Sequence, residues 1–475
     1  MQTIAHNDLQ KIHNTSLRIL ENVGIKLWHP DILNLLKKRG IKVRDNIAFF
    51  KPDQIEKLLE LAPEQFTLHA KNPLYDNLIS GETRTYAAGY GSSEIIEKDG
   101  TRRCSKFRDH INFLKLIQQL PDFKLTGGIL SQPTDIKAEH SAIAMVYASM
   151  LCSDKCLIGV PSSFPIISKI MDLAGIFFEG HKNFIQKPHV LTLISLLSPL
   201  QISNESLDSM LVCAKHNQPM ILTPGIIAGA TGPISIAGSI ALGNAEILAS
   251  IAIIELINPG TPVVYGLQVN AIDMRTAFPA TASPLNAIAV GYSSQLAKMY
   301  NLPSRGSGTC NQAKIVSEQS SYESMMAFFS ACIQEKNLIL HSAGTLDNYA
   351  AMSYEKFIID IEIIRMVECF MKGITIDDES LSFDIIKQID PAGQFITHHD
   401  TLEKCRSHTW TSMLQAYGKN NNLSLEKEYK KQISDKLDLL FSSYQKPKLD
   451  KKISQQLEKY LTASGIDITY LNNFF

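Results

Sequence analysis

The sequence predicts an α/β protein: a (β/α)8 TIM-type barrel with an N-terminal α+β lobe and a C-terminal helical tail. From residue 123 to about residue 396, short apolar runs alternate with amphipathic stretches, which is the pattern of repeated βα units. Seven runs are well defined in roughly 280 residues, a length that suits such a barrel with insertions. A doubly wound open sheet is the alternative. It would ordinarily carry a G-x-G-x-x-G turn after its first strand, and Gly127-Gly128 lacks that spacing.

Residues 1–120 are expected to form the N-terminal lobe. Apolar residues at helical spacing indicate a first helix at Leu9, Ile12, Ile19 and Val23. A second helix is expected to begin after Pro52. The β-rich stretch 83–97 contains Gly89 and Gly91, which favours a hairpin or a loop that lies close to another group.

The barrel is expected over residues 121–400, with one strand in each apolar run. The well-defined runs are 123–130, 156–160, 189–197, 219–224, 262–266, 302–306 and 338–342. The clearest helices are expected at 234–257, 284–300, 318–334 and 354–372. Ser283 is the expected N-cap of the second of these helices. A weaker run at 394–397 is the candidate eighth strand.

Residues 401–475 are expected to form a helical extension that packs on the barrel or on a second subunit. The lysine-rich part of this extension carries apolar residues at Ile433, Leu437, Leu439 and Leu440. The most apolar stretch of the chain, 221–257, is dense in glycine and interrupted by Glu246 and Glu255. A buried strand, a loop and a core helix explain it better than a membrane span.

The charge balance indicates small molecules or proteins as partners. The 46 Lys and Arg residues offset 47 Asp and Glu residues, so no basic face is expected for nucleic acid. An apolar fraction of 45% supports a globular core. The 8 cysteines are too scattered for a disulfide framework, and residues 1–20 contain no apolar run of signal-peptide length. We therefore expect a cytoplasmic protein with reduced thiols, and its long apolar helices are compatible with a homo-oligomer.

Polar, nearly uncharged residues follow the predicted strands, at the end where barrel active sites lie. Gln268 and Asn270 follow the fifth run, and His341 lies near the end of the last run. A glycine-rich turn before the long apolar helix contains Gly229, Thr231 and Gly232. This turn either offers backbone N–H groups to an anionic ligand or is only a tight connection between strand and helix.

Cys310 is a candidate nucleophile, because it lies in the loop 306–312 at the end of a predicted strand. A thiolate would need a neighbouring base or cation, and Arg305, Lys314 and His341 are the candidates by topology. The alternative is a small residue that only lines a pocket.

The sequence contains no complete metal-binding signature. Cys152 and Cys156 lack a second pair of ligands, and His398-His399 lacks a third ligand in register. H-E-x-x-H, G-x-S-x-G and phosphate-binding P-loop motifs are absent as well. We therefore expect no bound metal.

Aromatic residues in predicted loops and at strand ends are expected to bind a cation. They are Tyr86, Tyr90, Tyr265, Phe278 and Tyr349. Each ring attracts a desolvated methylated ammonium by about 0.5–2 kcal/mol. Plain packing is the alternative for any single ring, and their shared position favours a cage.

A series of ordered motifs runs along most of the chain. They are Asp99-Gly-Thr-Arg-Arg with Asp109, Ala228-Gly-Ala-Thr-Gly-Pro-Ile-Ser-Ile-Ala-Gly with Leu242-Gly-Asn-Ala-Glu246, Pro262-Val-Val-Tyr-Gly, Asp273-Met-Arg-Thr, Leu302-Pro-Ser-Arg-Gly, Tyr322-Glu, Ser353-Tyr-Glu-Lys, Asp360-Ile-Glu and Asp390-Pro-Ala-Gly-Gln-Phe. Together these motifs resemble the trimethylamine methyltransferase family, in its branch without pyrrolysine.

The resemblance implies a barrel that transfers a methyl group from a methylated amine to the Co(I) corrinoid of a separate small protein. Relatives without pyrrolysine are associated with quaternary amines such as glycine betaine. A tertiary amine such as trimethylamine is the alternative substrate, and a non-catalytic binding protein for a small cation is the alternative function. The corrinoid is expected on the partner protein.

The resemblance also implies positions for the site. Pyrrolysine of the founding members corresponds to the loop 308–312, so the catalytic position is expected at Cys310, Asn311 and Gln312. The residues expected to bind the substrate are Tyr86, Tyr90, Tyr265, Gln268, Asn270, Phe278, His341 and Tyr349. The carboxylate of a betaine is expected to meet His341, Asn270, Gln312 or the 228–233 backbone.

Overall fold

The computed structural model describes residues 4–389, 391–414 and 425–475, so Asp390 of the last motif lies outside the described residues. Up to residue 119, short strands alternate with helices. The elements are α1 (His6–Asn22), β1 (Ile25–Leu27), α2 (Pro30–Lys38), β2 (Lys42–Arg44), β3 (Ile47–Phe49), α3 (Pro52–Leu59), β4 (Phe66–Leu68), β5 (Asn77–Ile79), β6 (Thr85–Tyr86), β7 (Glu94–Ile96), β8 (Arg102–Cys104) and α4 (Phe107–Gln119).

The central part of the chain contains the predicted alternation of strands and helices. The elements are α5 (Ala138–Cys152), β9 (Leu157–Gly159), α6 (Phe164–Phe177), α7 (His181–Gln186), β10 (Val190–Leu196), β11 (Gln201–Ile202), α8 (Asn204–Lys215), β12 (Met220–Ala228), α9 (Ile236–Ile257), β13 (Val263–Tyr265), β14 (Gln268–Asp273), β15 (Phe278–Ala280), α10 (Pro284–Met299), β16 (Arg305–Ser307), α11 (Glu318–Ile333), β17 (Leu338–Leu340), β18 (Thr345–Leu346), β19 (Ala351–Met352) and α12 (Tyr354–Lys372). The Ser283 hydroxyl accepts a hydrogen bond from the Asn286 N–H at the start of α10, as the sequence predicts.

Parallel pairing links the strands that carry the predicted runs. β9, β10, β12 and β13 are parallel neighbours, and β16 pairs in parallel with β17. Single parallel bridges extend this order, from Leu125 to Cys156 at one end and from Tyr265 to Ser304 between β13 and β16. Helices follow most of these strands, so the predicted α/β class is confirmed.

The prediction of an eighth strand at 394–397 is wrong, because that segment contains no strand. Instead, β6 of the N-terminal segment pairs in parallel with β17. The Thr85 N–H donates to the Asn337 carbonyl at 2.8 Å, and the Ala87 N–H donates to the Ile339 carbonyl at 2.9 Å. A strand of two residues carries no readable alternation, whereas Phe395 and Ile396 are apolar but exposed.

The strands separate two apolar layers. An inner cluster is formed by side chains from the inner faces of the parallel strands and from the β4–β5 hairpin: Phe66, Leu68, Ala70, Ile79, Ala87, Tyr90, Leu125, Cys156, Ile158, Leu191, Leu193, Ile221, Val264, Leu338 and Leu340. The larger outer cluster joins the strands to the helices. Because side chains alternate along a strand, Val264 lies in the inner cluster while Val263 and Tyr265 lie in the outer one.

One helix in the described part of the chain, α9, is long and apolar enough to cross a membrane by length and composition. Burial inside the protein covers 89% of its most apolar window. This agrees with the core helix that the sequence predicts.

The C-terminal helices lie on the outside of the α/β core. They are α13 (Phe383–Ile389), α14 (His399–Lys404), α15 (Leu425–Ser442), α16 (Lys451–Ala463) and α17 (Ile468–Asn472). α15 packs on α12 and α4, and α16 packs on α6. The rings of Phe474 and Phe475 lie 5.2 and 6.3 Å from that of Phe107.

Candidate active site

The candidate site lies where several parallel strands end. Tyr90 follows β6, Gln268 follows β13, His341 follows β17 and Tyr349 lies between β18 and β19. Arg305 lies in the neighbouring three-residue strand β16. Residues that are far apart in sequence meet here because the strands run in parallel and their loops converge.

A chain of hydrogen bonds links a buried cation to a phenol. Arg305 Nη1 donates to Gln268 Oε1 at 2.8 Å, and Gln268 Nε2 donates to the Tyr349 hydroxyl at 2.5 Å. The Ser307 hydroxyl lies 3.4 Å from the same phenol oxygen. Gln268 is therefore fixed at both ends, and its amide connects Arg305 to Tyr349.

The aromatic side of the site is uncharged at neutral pH. The His341 ring lies 4.4 Å from the Tyr349 ring and 6.4 Å, edge-on, from the Tyr90 ring. Burial, helped by the nearby charge of Arg305, holds the pKa of His341 well below its ordinary value. Burial also raises the pKa of the Tyr90 phenol. These groups therefore present rings and neutral polar atoms.

A left-handed turn positions Tyr349. Asp347, Asn348 and Tyr349 have φ of 52°, 51° and 75°, a region that costs energy for residues other than glycine. The Asp347 carboxylate holds this turn, because Arg102 donates to it at 2.6 Å and Lys314 pairs with it as well. This backbone conformation directs the Tyr349 phenol toward Gln268.

Cys310 is completely buried beside Tyr349 and Arg305. Burial raises the pKa of its thiol to about 11, against the opposing effects of these two neighbours. The thiol therefore stays protonated at neutral pH, which favours the pocket-lining interpretation over the nucleophile.

We expect Cys310 to resist alkylation in the folded protein. At pH 8, iodoacetamide should modify the exposed Cys104, Cys369 and Cys405 within minutes and leave Cys310 unmodified until denaturant is added. Peptide mass spectrometry at timed intervals measures the difference. Modification of Cys310 as fast as Cys104 would contradict the protonated, buried thiol.

The two residues after Cys310 serve the loop itself. Asn311 Nδ2 donates to the Thr345 carbonyl at 2.8 Å and to Ser324 Oγ at 3.2 Å. The Gln312 N–H donates to a Glu323 carboxylate oxygen at 2.6 Å. Asn311 is therefore tied into the support of the loop and does not join the ring of Tyr90, His341 and Tyr349.

A buried ion pair supports the loop that contains Cys310. Lys356 pairs with Asp360, and both side chains are fully buried. Lys356 Nζ donates to Ser324 Oγ at 2.9 Å, and Ser324 Oγ donates to the Thr309 carbonyl at 2.7 Å. Asp360 Oδ2 accepts the Gly344 N–H at 2.8 Å. The pair thus holds the loops on both sides of the site.

Three of the predicted cage residues lie elsewhere. Tyr265 points to the helix layer, where its hydroxyl donates to Asn244 Oδ1 at 2.8 Å. Tyr86 also belongs to the outer cluster and hydrogen-bonds with Glu368. Phe278 is 60% exposed in the β14–β15 hairpin. Strand alternation and the hairpin separate these rings from Tyr90 and Tyr349.

The remaining predicted amide, Asn270, lies at the edge of the site. Its Oδ1 accepts from Asn286 Nδ2 at 2.7 Å and lies 3.5 Å from Gln268 Nε2. Asn270 therefore supports the residue that contacts Arg305 and Tyr349.

The glycine-rich turn uses its own backbone donors. The Gly229 N–H donates to the Gly232 carbonyl at 3.0 Å, and the N–H groups of Ala230, Thr231 and Gly232 all point to the Ile227 carbonyl. The Thr231 hydroxyl accepts the Ile227 N–H at 2.9 Å. These bonds favour the tight connection over an anion-binding loop.

Sequence reasoning missed the central place of Arg305. The sequence indicates this residue only as a cation near Cys310, whereas Arg305 is one of the largest fully buried side chains. A charged residue inside a predicted strand was the available signal, because arginine is rarely buried without a function or a partner.

Among the described residues, no group of three or more His, Cys, Asp or Glu side chains could hold a metal ion. The site thus offers aromatic rings, amides and one buried guanidinium. Neutral aromatic rings with a few convergent polar groups and one buried cation, at the ends of parallel strands, are typical of an α/β enzyme that binds a small molecule.

The chain belongs to the trimethylamine methyltransferase (MTTB) family, whose model matches residues 1–465, and it is a methyltransferase. It is 35% identical over 466 residues to the glycine betaine methyltransferase of Desulfitobacterium hafniense, covering 98% of this chain and 97% of that protein. It is 28% identical to the proline betaine:corrinoid methyltransferase of Eubacterium limosum, covering 96% of each chain. The monomethylamine methyltransferase of Methanosarcina barkeri aligns with a TM-score of 0.49 at 12% identity, covering 91% of this chain and 93% of that chain.

Proposed function

We propose that the protein transfers a methyl group from a quaternary amine of the betaine type to the Co(I) corrinoid of a separate small protein. The uncharged ring formed by Tyr90, His341 and Tyr349 carries this proposal, since aromatic faces attract a methylated ammonium. Two relatives named for betaines, at 35% and 28% identity, agree with it.

The residues of the site suit a quaternary amine. Removing a methyl group from such a substrate leaves a neutral amine, so no proton donor is needed at nitrogen. His341 and Tyr90 are neutral at physiological pH and accordingly have no acid or base work to do. The protein binds the cation, orients one methyl group and keeps water away from it.

The methyl acceptor is a corrinoid carried by the partner protein, and it supplies the Co(I) nucleophile. Ser195 near the end of β10 and Gly225 in the second half of β12 are exposed. They continue the alternation of Leu193 and Ile221, which belong to the inner cluster. The interior is therefore open at this end, and a large planar group can approach a methyl group held there.

We also propose that the parallel strands close into an eight-stranded barrel. The order of neighbouring strands runs from β6 through β17, β16, β13, β12, β10 and β9 to Leu125. The gap between β6 and the Leu125 segment is spanned by a hydrogen bond from the Gly91 N–H to the Ile129 carbonyl at 2.6 Å. The inner cluster, which includes residues from both edges, is the filled interior expected of such a barrel.

Exposed apolar side chains support a homo-oligomer. The segment after α12 contains Ile374, 86% exposed, and Ile396, 77% exposed, and in α13 none of the side chains is buried. Large exposed apolar surfaces mark interaction sites.

Each of the eight cysteines, all of them in the described part of the chain, is a free thiol, which suits the cytoplasm.

The methyl transfer can be measured directly. Purified protein is mixed with Co(I) corrinoid and glycine betaine, proline betaine or trimethylamine, and the loss of Co(I) absorbance is followed. We expect methyl-Co(III) with a betaine and little or none with trimethylamine. Replacing Tyr349 by leucine should slow the reaction about tenfold or more, and Phe278→Leu, outside the ring, should leave it unchanged. Reaction with trimethylamine alone would reject the betaine assignment, and no reaction with any amine would reject methyl transfer.

A further inference from the structure

Arg305 is a buried cation that has no acidic partner in the described part of the chain. Its side chain is among the largest fully buried ones, and the residue is 2% exposed. Its Nη1 donates to the neutral Gln268, and its Nε finds no hydrogen-bond partner. Burying a charge is costly unless an opposite charge and full hydrogen bonding compensate it. The described residues supply neither.

Two further buried polar atoms near Arg305 are also without partners. They are the Tyr90 hydroxyl and His341 Nδ1. The two rings lie 6.4 Å apart, and the charge of Arg305 acts on both of them. A guanidinium N–H, a phenol O–H and an imidazole N–H can all donate. A group that accepts several hydrogen bonds and carries negative charge would satisfy them together.

The carboxylates of the loops around the site are already engaged. Asp347 pairs with Arg102 and Lys314, and Glu323 accepts from the Gln312 N–H. Asp360 is paired with Lys356. The partner of Arg305 must therefore come from outside these residues.

We propose that Arg305, Tyr90 and His341 bind the carboxylate of the substrate, so that the enzyme selects zwitterionic betaines over quaternary amines without an acid group. This inference rests on the proposed function and assigns the anion end of the substrate. Among the choices that the sequence offered, it retains His341. Asn270 is engaged with Asn286, and the 228–233 backbone is engaged within its own turn.

The order of residues along β16 gives the substrate a direction. Arg305 precedes Ser307 by two residues, about 7 Å along a strand. Ser307 and Gln268 meet the Tyr349 hydroxyl at the outer end. A carboxylate on Arg305 therefore lies deeper than an ammonium beside Tyr349, and the methyl groups face the open end of the interior.

Lys336 is a matched control, because it is also a buried basic side chain. Its Nζ donates to Ser293 Oγ of α10 at 2.8 Å, so it lies on the helix side of the strands. It is 1% exposed, and Arg305 is 2% exposed. Replacing Lys336 removes a buried basic side chain whose hydrogen bond goes to α10 and not to the proposed carboxylate site.

The test measures binding by calorimetry without any corrinoid, using glycine betaine and tetramethylammonium as probes. Arg305→Gln should weaken glycine betaine about 100-fold or more and change tetramethylammonium by less than about threefold. Lys336→Met should change neither by more than about threefold. Because Arg305→Gln removes an uncompensated buried charge, its Tm without ligand should equal or exceed that of the wild type.

The outcomes separate the two proposals. Selective loss of glycine betaine in Arg305→Gln, with an intact Tm, supports the carboxylate site even if no methyl transfer to Co(I) is seen. Equal losses of both probes, or unchanged glycine betaine affinity, would overturn it even if methyl transfer is demonstrated. A Tm well below that of the wild type would also overturn it, since Arg305 would then serve the fold.

Discussion

Lys356→Met is expected to destabilise the protein by about 3–5 kcal/mol. The substitution leaves Asp360 fully buried without its partner. It also removes the Lys356 donor to Ser324 Oγ, which in turn holds the Thr309 carbonyl beside Cys310. Urea unfolding at pH 7.5, followed by circular dichroism, measures the loss. Methyl transfer should fall as well, because the loops on both sides of the site lose a common support.

The double variant Lys356→Met with Asp360→Leu is the control. It replaces the ion pair by apolar side chains, which is often neutral or stabilising in a protein interior. We expect it to recover most of the stability that the single variant loses. A single variant that unfolds at the wild-type urea concentration would show that the pair contributes little.

Glu246→Gln is expected to change how stability depends on pH. Burial raises the pKa of Glu246 to about 7, although Ser198 and the Leu200 N–H both donate to its carboxylate. Between about pH 4.5 and pH 7 the folded protein keeps a proton that the unfolded chain has released. The stabilisation from this proton is complete below about pH 4.5 and is lost as the pH rises through about 7. Its size is about 3 kcal/mol.

The measurement is the free energy of unfolding at several values between pH 5 and pH 8. The wild type should lose stability over this range, and Glu246→Gln should lose about 3 kcal/mol less. Glu255 lies on the same helix, and burial raises its pKa to about 7 as well. Glu255→Gln is therefore the matched comparison. Identical pH slopes for the wild type and Glu246→Gln would exclude a proton on Glu246 in the folded state.

The helices were the most predictable part of the fold. Their apolar period and their caps lie within one segment of chain, so α12 has the predicted bounds and Ser283 caps α10. β6 was not predicted, because its two residues form a strand only by pairing with β17, which is more than 250 residues away in the sequence. The sequence pattern contains no trace of that pairing.

The candidate site was predictable at the level of regions and less so for single rings. Tyr90, Gln268, His341 and Tyr349 were expected and do meet. Tyr265 was misplaced, because a shift of one residue in a strand moves a side chain to the other face. Arg305 was underestimated, since its lack of an acidic partner appears only once the neighbouring side chains are in place.

Two motifs that resemble the family gain a physical explanation. Ser353-Tyr-Glu-Lys356 and Asp360-Ile-Glu lie together on the first turns of α12. Lys356 and Asp360 are one helical turn apart, so their side chains meet and support the Cys310 loop. These motifs therefore preserve the shape of the site without lining it.

The pairing of β6 with β17 also matters for synthesis of the protein on the ribosome. At 5–20 residues per second, roughly 10–50 s separate the emergence of Tyr86 from that of its neighbour Ile339. During that interval the edge of β6 has no partner strand from β17, and Tyr90 lacks the ring of His341. A nascent chain that stops before β17 carries an open strand edge, which is a target for chaperones and a starting point for aggregation.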